Sequence, residues 1–206
     1  MSIKPDNPTL SSLLQGRLFF IPDYQRAYSW QSKQRQDLFH DINIINQHND
    51  PERHHFMATV VCLRRGRRGI AADEYGVFEL VDGQQRITTL IILLKAVAKK
   101  LHETGNEGEA NKLQTLLVKE DSTLLFESNH DERNFLAGYL KTGHMPAEDD
   151  VQTAAESNLL AACQDCEAYV DTWDDVFGLL RILKNRLDFI LFVLEDEATV
   201  YTTFEV

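Results

Sequence analysis

Apolar residues recur along this chain in two rhythms, and the change of rhythm divides it. From Leu18 to Ile21, from Phe56 to Leu63 and from Val77 to Val81 they fall in short β-rich runs, which predict three strands. From Gln84 onward the spacing becomes helical. Ile87, Leu90, Ile91, Leu94, Val97, Ala98 and Leu101 share one face, so the third strand is followed by a helix of about five turns. Shorter helices are predicted over Thr9–Leu14 and from Trp30 to about Asn46, the latter on Leu38, Ile42 and Ile45. Beyond the break at Gly105–Gly108, helical spacing returns over Glu109–Val118, Asp131–Leu140 and Val151–Phe177. Phe189–Leu194 has the length of a further strand, and Glu195–Val206 opens another helix. The predicted fold is therefore α/β (α+β). A mixed-sheet core over residues 1–102 precedes a mainly helical part over residues 103–206, with Gly143–Asp150 as a linker.

Composition narrows the class. With 43% hydrophobic and 26% charged residues in 206, the chain reads as a globular protein. No apolar run is long enough to cross a bilayer, and Met1–Pro8 is too polar for a secretory signal, so a cytoplasmic location is expected. Three cysteines cannot make a disulfide framework; Cys163 and Cys166 read as small buried residues on one helix face. The net charge of −11 is unevenly distributed. The first hundred residues carry 14 Lys+Arg against 10 Asp+Glu, and the remaining 106 carry 7 against 22. A polyanion would approach the first half.

Two stretches concentrate chemistry. In Asp82-Gly83-Gln84-Gln85-Arg86 a strand turns directly into a helix N-terminus, where backbone amides lack partners and the helix dipole favours an anion. Gly83 permits close approach of a ligand to the backbone. Arg86 is poorly placed for the dipole alone but well placed for a bound phosphate. Gln84, Gln85 and Thr88 add neutral donors and acceptors, while Thr89 serves packing equally well. The plainer reading stands beside this one: Asp82 is an N-cap, Gly83 completes the turn, and the rest is a solvated helix start. No Walker motif is present. The second stretch, FFIPDYQRAYSW, places Phe19, Tyr28 and Trp30 in the core and Tyr24, Gln25 and Arg26 at a surface. Arg64, Arg65, Arg67 and Arg68 crowd the loop between the second and third strands, suited either to DNA phosphates or to a solvated hairpin tip. His54 and His55 are adjacent and cannot converge on one ion from a regular element, so no metal site is expected.

IPDYQRAYSW, the DLFHDI helix, HFMATVV and ELVDGQQRITTL, in this order, resemble the N-terminal domain of GmrSD-type restriction endonucleases, a domain related to the ParB/sulfiredoxin fold. The similarity covers essentially the whole chain, although residues 103–180 match only as generic helices. The resemblance implies a ParB/sulfiredoxin-like core in a bacterial anti-phage, modification-dependent restriction system. It further implies that Asp82, Gln85 and Arg86 act in hydrolysing a nucleoside triphosphate (GTP, UTP, CTP or ATP, with Mg²⁺ carried on the nucleotide). Gly83, Gln84, Thr88, Tyr24, Gln25 and Arg26 would bind that nucleotide. The expected partners are DNA, modified or unmodified, and a nuclease domain or subunit, with no membrane; a homo-oligomer stays open. Family chains continue past a stretch of which only Phe204-Glu205-Val206 is present here, so the chain reads as truncated and is not expected to cut DNA itself. Two rivals remain: a non-catalytic nucleotide- or DNA-binding switch, and an interaction subunit whose acidic helices dock a partner.

Overall fold

The computed structural model describes residues 4–48, 50, 52–120, 122–127 and 130–196. The helix expected to open at Glu195 falls almost wholly outside them, as does Phe204-Glu205-Val206. In chain order the elements are α1 (Leu10–Leu14), β1 (Arg17–Ile21), α2 (Ser32–Gln47), β2 (His55–Ile70), β3 (Asp73–Asp82), α3 (Gln84–Glu103) and α4 (Glu107–Leu117). There follow β4 (Val118–Lys119), β5 (Ser122–Thr123), β6 (Leu125–Glu127), α5 (His130–Thr142), α6 (Ala154–Asp171), α7 (Val176–Asn185) and β7 (Leu187–Leu194). The fold is α/β. Five strands form one mixed sheet in the order β6-β1-β3-β2-β7. β1 runs parallel to β3 and β6, β2 runs antiparallel to β3, and β7 is parallel to β2. Both edge strands thus come from residues after 102.

Alternation along the strands sorts side chains between the two faces. Leu80, Val60 and Cys62 join Phe19 and Phe189 in the main core on the helix side, whereas Val61, Leu63, Val81 and Leu194 form a small cluster apart from it. α3 is the hub of the main core. From Ile87 to Ala98 every residue of α3 is buried, on all sides rather than on the single face its spacing suggests. The cause is tertiary: α4 and α6 pack against it as well, so Ile92, Leu93 and Ala96 find apolar neighbours where an amphipathic surface helix would meet water.

Three further differences have local causes. The arginine-rich loop is part of a long hairpin, because β2 and β3 stay paired out to Ile70 and Asp73, with an irregularity at Gly66 where φ is +123°. The helix expected over 151–177 is two helices. Thr172 Oγ1 donates to the Tyr169 carbonyl at 2.7 Å to close α6, and Asp175 Oδ1 accepts from the Gly178 amide at 2.8 Å to start α7. β6, only three residues long, has too little pattern to be read from sequence and is fixed by its parallel pairing with β1.

Candidate functional site

The central strand β3 delivers the chain to Gly83, whose φ of +90° makes the turn into α3. The backbone conformation favours glycine, and a Cβ there would be tight as well, 3.2 Å from the Thr59 carbonyl oxygen and 3.3 Å from Val60 Cγ2. The plainer account of the turn fails in one respect. The N-cap is Gly83, no side chain caps the helix, and the Asp82 carboxylate accepts from the Gly83 amide at 2.7 Å instead. The Ile87 amide makes the first intrahelical bond, 3.1 Å to the Gly83 carbonyl, which leaves the amides of Gln84, Gln85 and Arg86 without acceptors inside the helix.

The two glutamines join the two motifs. Gln85 Oε1 accepts from the Ser29 amide at 2.8 Å, and its Nε2 donates to the Ala27 carbonyl at 3.2 Å. Gln84 Nε2 donates to the Arg26 carbonyl at 2.9 Å. In return Gln25 Nε2 donates to the Val81 carbonyl at 2.9 Å, and the Tyr28 hydroxyl meets Thr89 Oγ1 at 2.8 Å. The irregular segment from Pro22 to Gln31 has no ladder of its own, and these bonds give the Arg26 and Ala27 carbonyls and the Ser29 amide their partners. IPDYQRAYSW and DGQQR are therefore one structural unit, the first laid against the start of the helix that carries the second.

Between them lies a cleft of about 220 Å³ lined by Gln25, Arg26, Trp30, Asp82, Gly83 and the first turn of α3. Arg86 is half-buried in its wall, with its guanidinium carbon 5.6 Å from the centre of the Trp30 ring. It makes no hydrogen bond or ion pair among the described residues. Burial lowers its pKa, while Asp41 and Asp82 act the other way; an arginine so placed stays charged. Arg26 lines the cleft from the preceding loop and is exposed, and among the described residues Asp82 is the one carboxylate lining it. The site is thus a positive concavity over an uncapped helix N-terminus.

The other expected residues are placed as follows. Thr88 is buried behind the first turn, beside a small annex of the cleft. Tyr24 is 65% exposed and donates to Glu79 on the neighbouring strand, outside the residues lining the cleft. Of the hairpin arginines, Arg64 pairs with Glu195 at 3.1 Å, Arg65 with the buried Glu79 at 2.5 Å and Arg67 with Glu74 at 3.1 Å; Arg68 is exposed. His54 turns to Asp188 and His55 toward Asp41. Among the described residues no group of three or more His, Cys, Asp or Glu is placed to hold a metal, and no helix is long and apolar enough to cross a membrane. Cys163 and Cys166 are fully buried, and burial raises both thiol pKa values, which keeps them protonated and unreactive. Sequence reasoning missed Trp30 as the platform under Arg86 and Gln25 as an anchor of the turn. Only the proximity of aromatic and guanidinium-bearing motifs hinted at the first.

A larger cavity, of about 520 Å³, lies between α5 and the start of α6. Among the described residues its lining includes Asp150, Glu156 and His144 but no lysine or arginine, a poorer setting for an anion than the smaller cleft. Charge, rather than size, selects the smaller cleft.

A search of curated proteins finds no match to this chain. The family described as "GmrSD restriction endonuclease, N-terminal domain" matches over residues 10–206. The chain belongs to that family and is accordingly a component of a restriction system.

Proposed function

We propose that this chain binds a nucleoside triphosphate in the cleft at the start of α3 and hydrolyses it, as the sensor module of a modification-dependent, anti-phage restriction system whose DNA-cutting domain lies outside the chain. One observation carries this reading: Arg86, which makes no ion pair among the described residues, lines the same concave site as the first turn of α3, whose first three amides have no acceptor inside the helix. Phosphate oxygens would accept from those amides and from the Arg86 guanidinium, with Arg26 closing from the loop side. A volume of about 220 Å³ is below that of most complete small-molecule sites, so it suits the phosphate tail with the nucleoside toward solvent. GTP, UTP, CTP and ATP all remain admissible. Mg²⁺ would arrive on the nucleotide, and Asp82 is the carboxylate able to face it.

The two glutamine anchors favour a second reading, in which the ligand acts as a switch. Because the first turn of α3 holds the loop from Arg26 to Ser29, occupancy of that turn is transmitted to the loop with or without turnover. Phosphate release from the four triphosphates with Mg²⁺, for the native chain and for Arg86→Ala, separates the two. Hydrolysis that falls by roughly 10²- to 10³-fold in the variant supports the enzyme. Calorimetric binding without release supports the switch, and absence of both defeats the nucleotide reading.

A further inference from the structure

The cleft has an inner annex. A space of about 20 Å³ adjoins it, sharing Gln25, Arg26, Gln84 and Gln85 with the cleft and bordered besides by Ile21, Asp23, Tyr28 and Thr88. Gln84 is 6% exposed, and its Oε1 is buried with no hydrogen-bond partner among the described residues. Exchanging the two amide atoms does not cure this, because Nε2 is needed by the Arg26 carbonyl at 2.9 Å. Gln85, its neighbour, has the opposite status: both of its amide atoms are engaged by the loop backbone. A buried acceptor without a donor costs about 1–3 kcal/mol, so Gln84 Oε1 calls for an O–H or N–H from outside the protein. The annex admits about one water and nothing larger. The Thr88 hydroxyl, on its wall, offers that water a second partner.

Taking the nucleotide reading of the cleft as its basis, we propose that this annex is a water subsite, and that Gln84, not Gln85, holds the water that attacks the terminal phosphate. The water donates one O–H to Gln84 Oε1 and presents its lone pair toward the phosphate held by Arg86 and the helix amides. Its oxygen forms a bond to the γ-phosphorus as the bond from that phosphorus to the β–γ bridging oxygen breaks. The bridging oxygen leaves with the electron pair on the nucleoside diphosphate, and the proton released by the water passes to a γ-phosphate oxygen. Gln84 stays neutral throughout and acts only by position.

The test compares wild type with Gln84→Met, similar in length but without an acceptor, and with Gln84→Glu, which restores the oxygen. For each, calorimetric affinity for the triphosphate and single-turnover phosphate release are measured on the same preparation. The expected result for Gln84→Met, which also loses the bond to the Arg26 carbonyl, is a modest loss of affinity and release at saturating nucleotide slowed by roughly 10²-fold. Gln84→Glu recovers part of the rate, and Thr88→Val shows a smaller loss than Gln84→Met. A merely structural tether to Arg26 would lower affinity, melting temperature and rate together, and Gln84→Glu, lacking the donor, would not rescue it; that pattern overturns the proposal. So does a Gln84→Met rate equal to wild type, or a wild type that binds without turnover, and both leave nucleotide binding standing. A wild type that neither binds nor hydrolyses removes the nucleotide reading itself.

Discussion

Gln85 shows how much a single residue type conceals in sequence. Two glutamines at a helix mouth read as ligand contacts because their amides can donate and accept without charge. The fold uses the Gln85 amide to hold Ala27 and Ser29, and only Gln84 keeps an acceptor unengaged. The consequence is measurable. Gln85→Met leaves the Ser29 amide and the Ala27 carbonyl without their partner, and should lower unfolding free energy by roughly 1–3 kcal/mol in urea titrations. Nucleotide affinity should fall in parallel, because the loop side of the cleft is released. Stability unchanged within error would show that the loop does not depend on this anchor. That both glutamines sit at the mouth of the helix was legible in the sequence; which atom of which glutamine is engaged was not. The partners are backbone groups about 58 positions away, and no side-chain pattern encodes them.

Among the elements, α3 was the most legible and was still misread in one way. Its start, length and inner face follow from periodicity, but its complete burial depends on α4 and α6, whose packing the local pattern does not contain. Lys95 records the cost. It is 5% exposed, donates to Gln114 Oε1 at 2.6 Å, and burial pushes its ammonium down to about 8 from an ordinary 10.5. Between those values the unfolded chain holds a proton that the folded chain has released, so stability rises with pH across this window. Urea unfolding of wild type and Lys95→Met from about pH 7.5 to about pH 10 should show the difference moving in favour of wild type as pH increases. Parallel curves would mean that Lys95 keeps its charge in the fold. The hairpin of β2 and β3 was less legible. Arginine and glycine suggest irregular backbone, yet pairing with β3 extends the strand through an irregularity at Gly66.

For the molecule as a whole, charge limits what the chain can do with DNA. The net charge of −11 opposes approach of a polyanion, and ion pairs to Glu195, Glu79 and Glu74 engage three of the four hairpin arginines. We propose that any DNA contact is confined to Arg68 and to Arg67, whose pair with Glu74 is the most exposed of the three, and is non-specific. The double variant Arg67→Ser/Arg68→Ser should then lower the slope of log affinity against log salt by about 2, with equal loss for modified and unmodified duplexes. An unchanged slope removes the hairpin from the DNA interface. The positive cleft is a different matter, since its charge is local and its partner small. Trp30 lies under Arg86 and offers a direct optical report on that charge, with Trp173 replaced by Phe to leave one indole. Titrating this protein with a non-hydrolysable triphosphate analogue and Mg²⁺ should give a saturable change in Trp30 emission that Arg86→Met abolishes while the fold is retained. Emission that stays flat to millimolar analogue, or a response that survives Arg86→Met unaltered, would contradict the assignment of this cleft to phosphate.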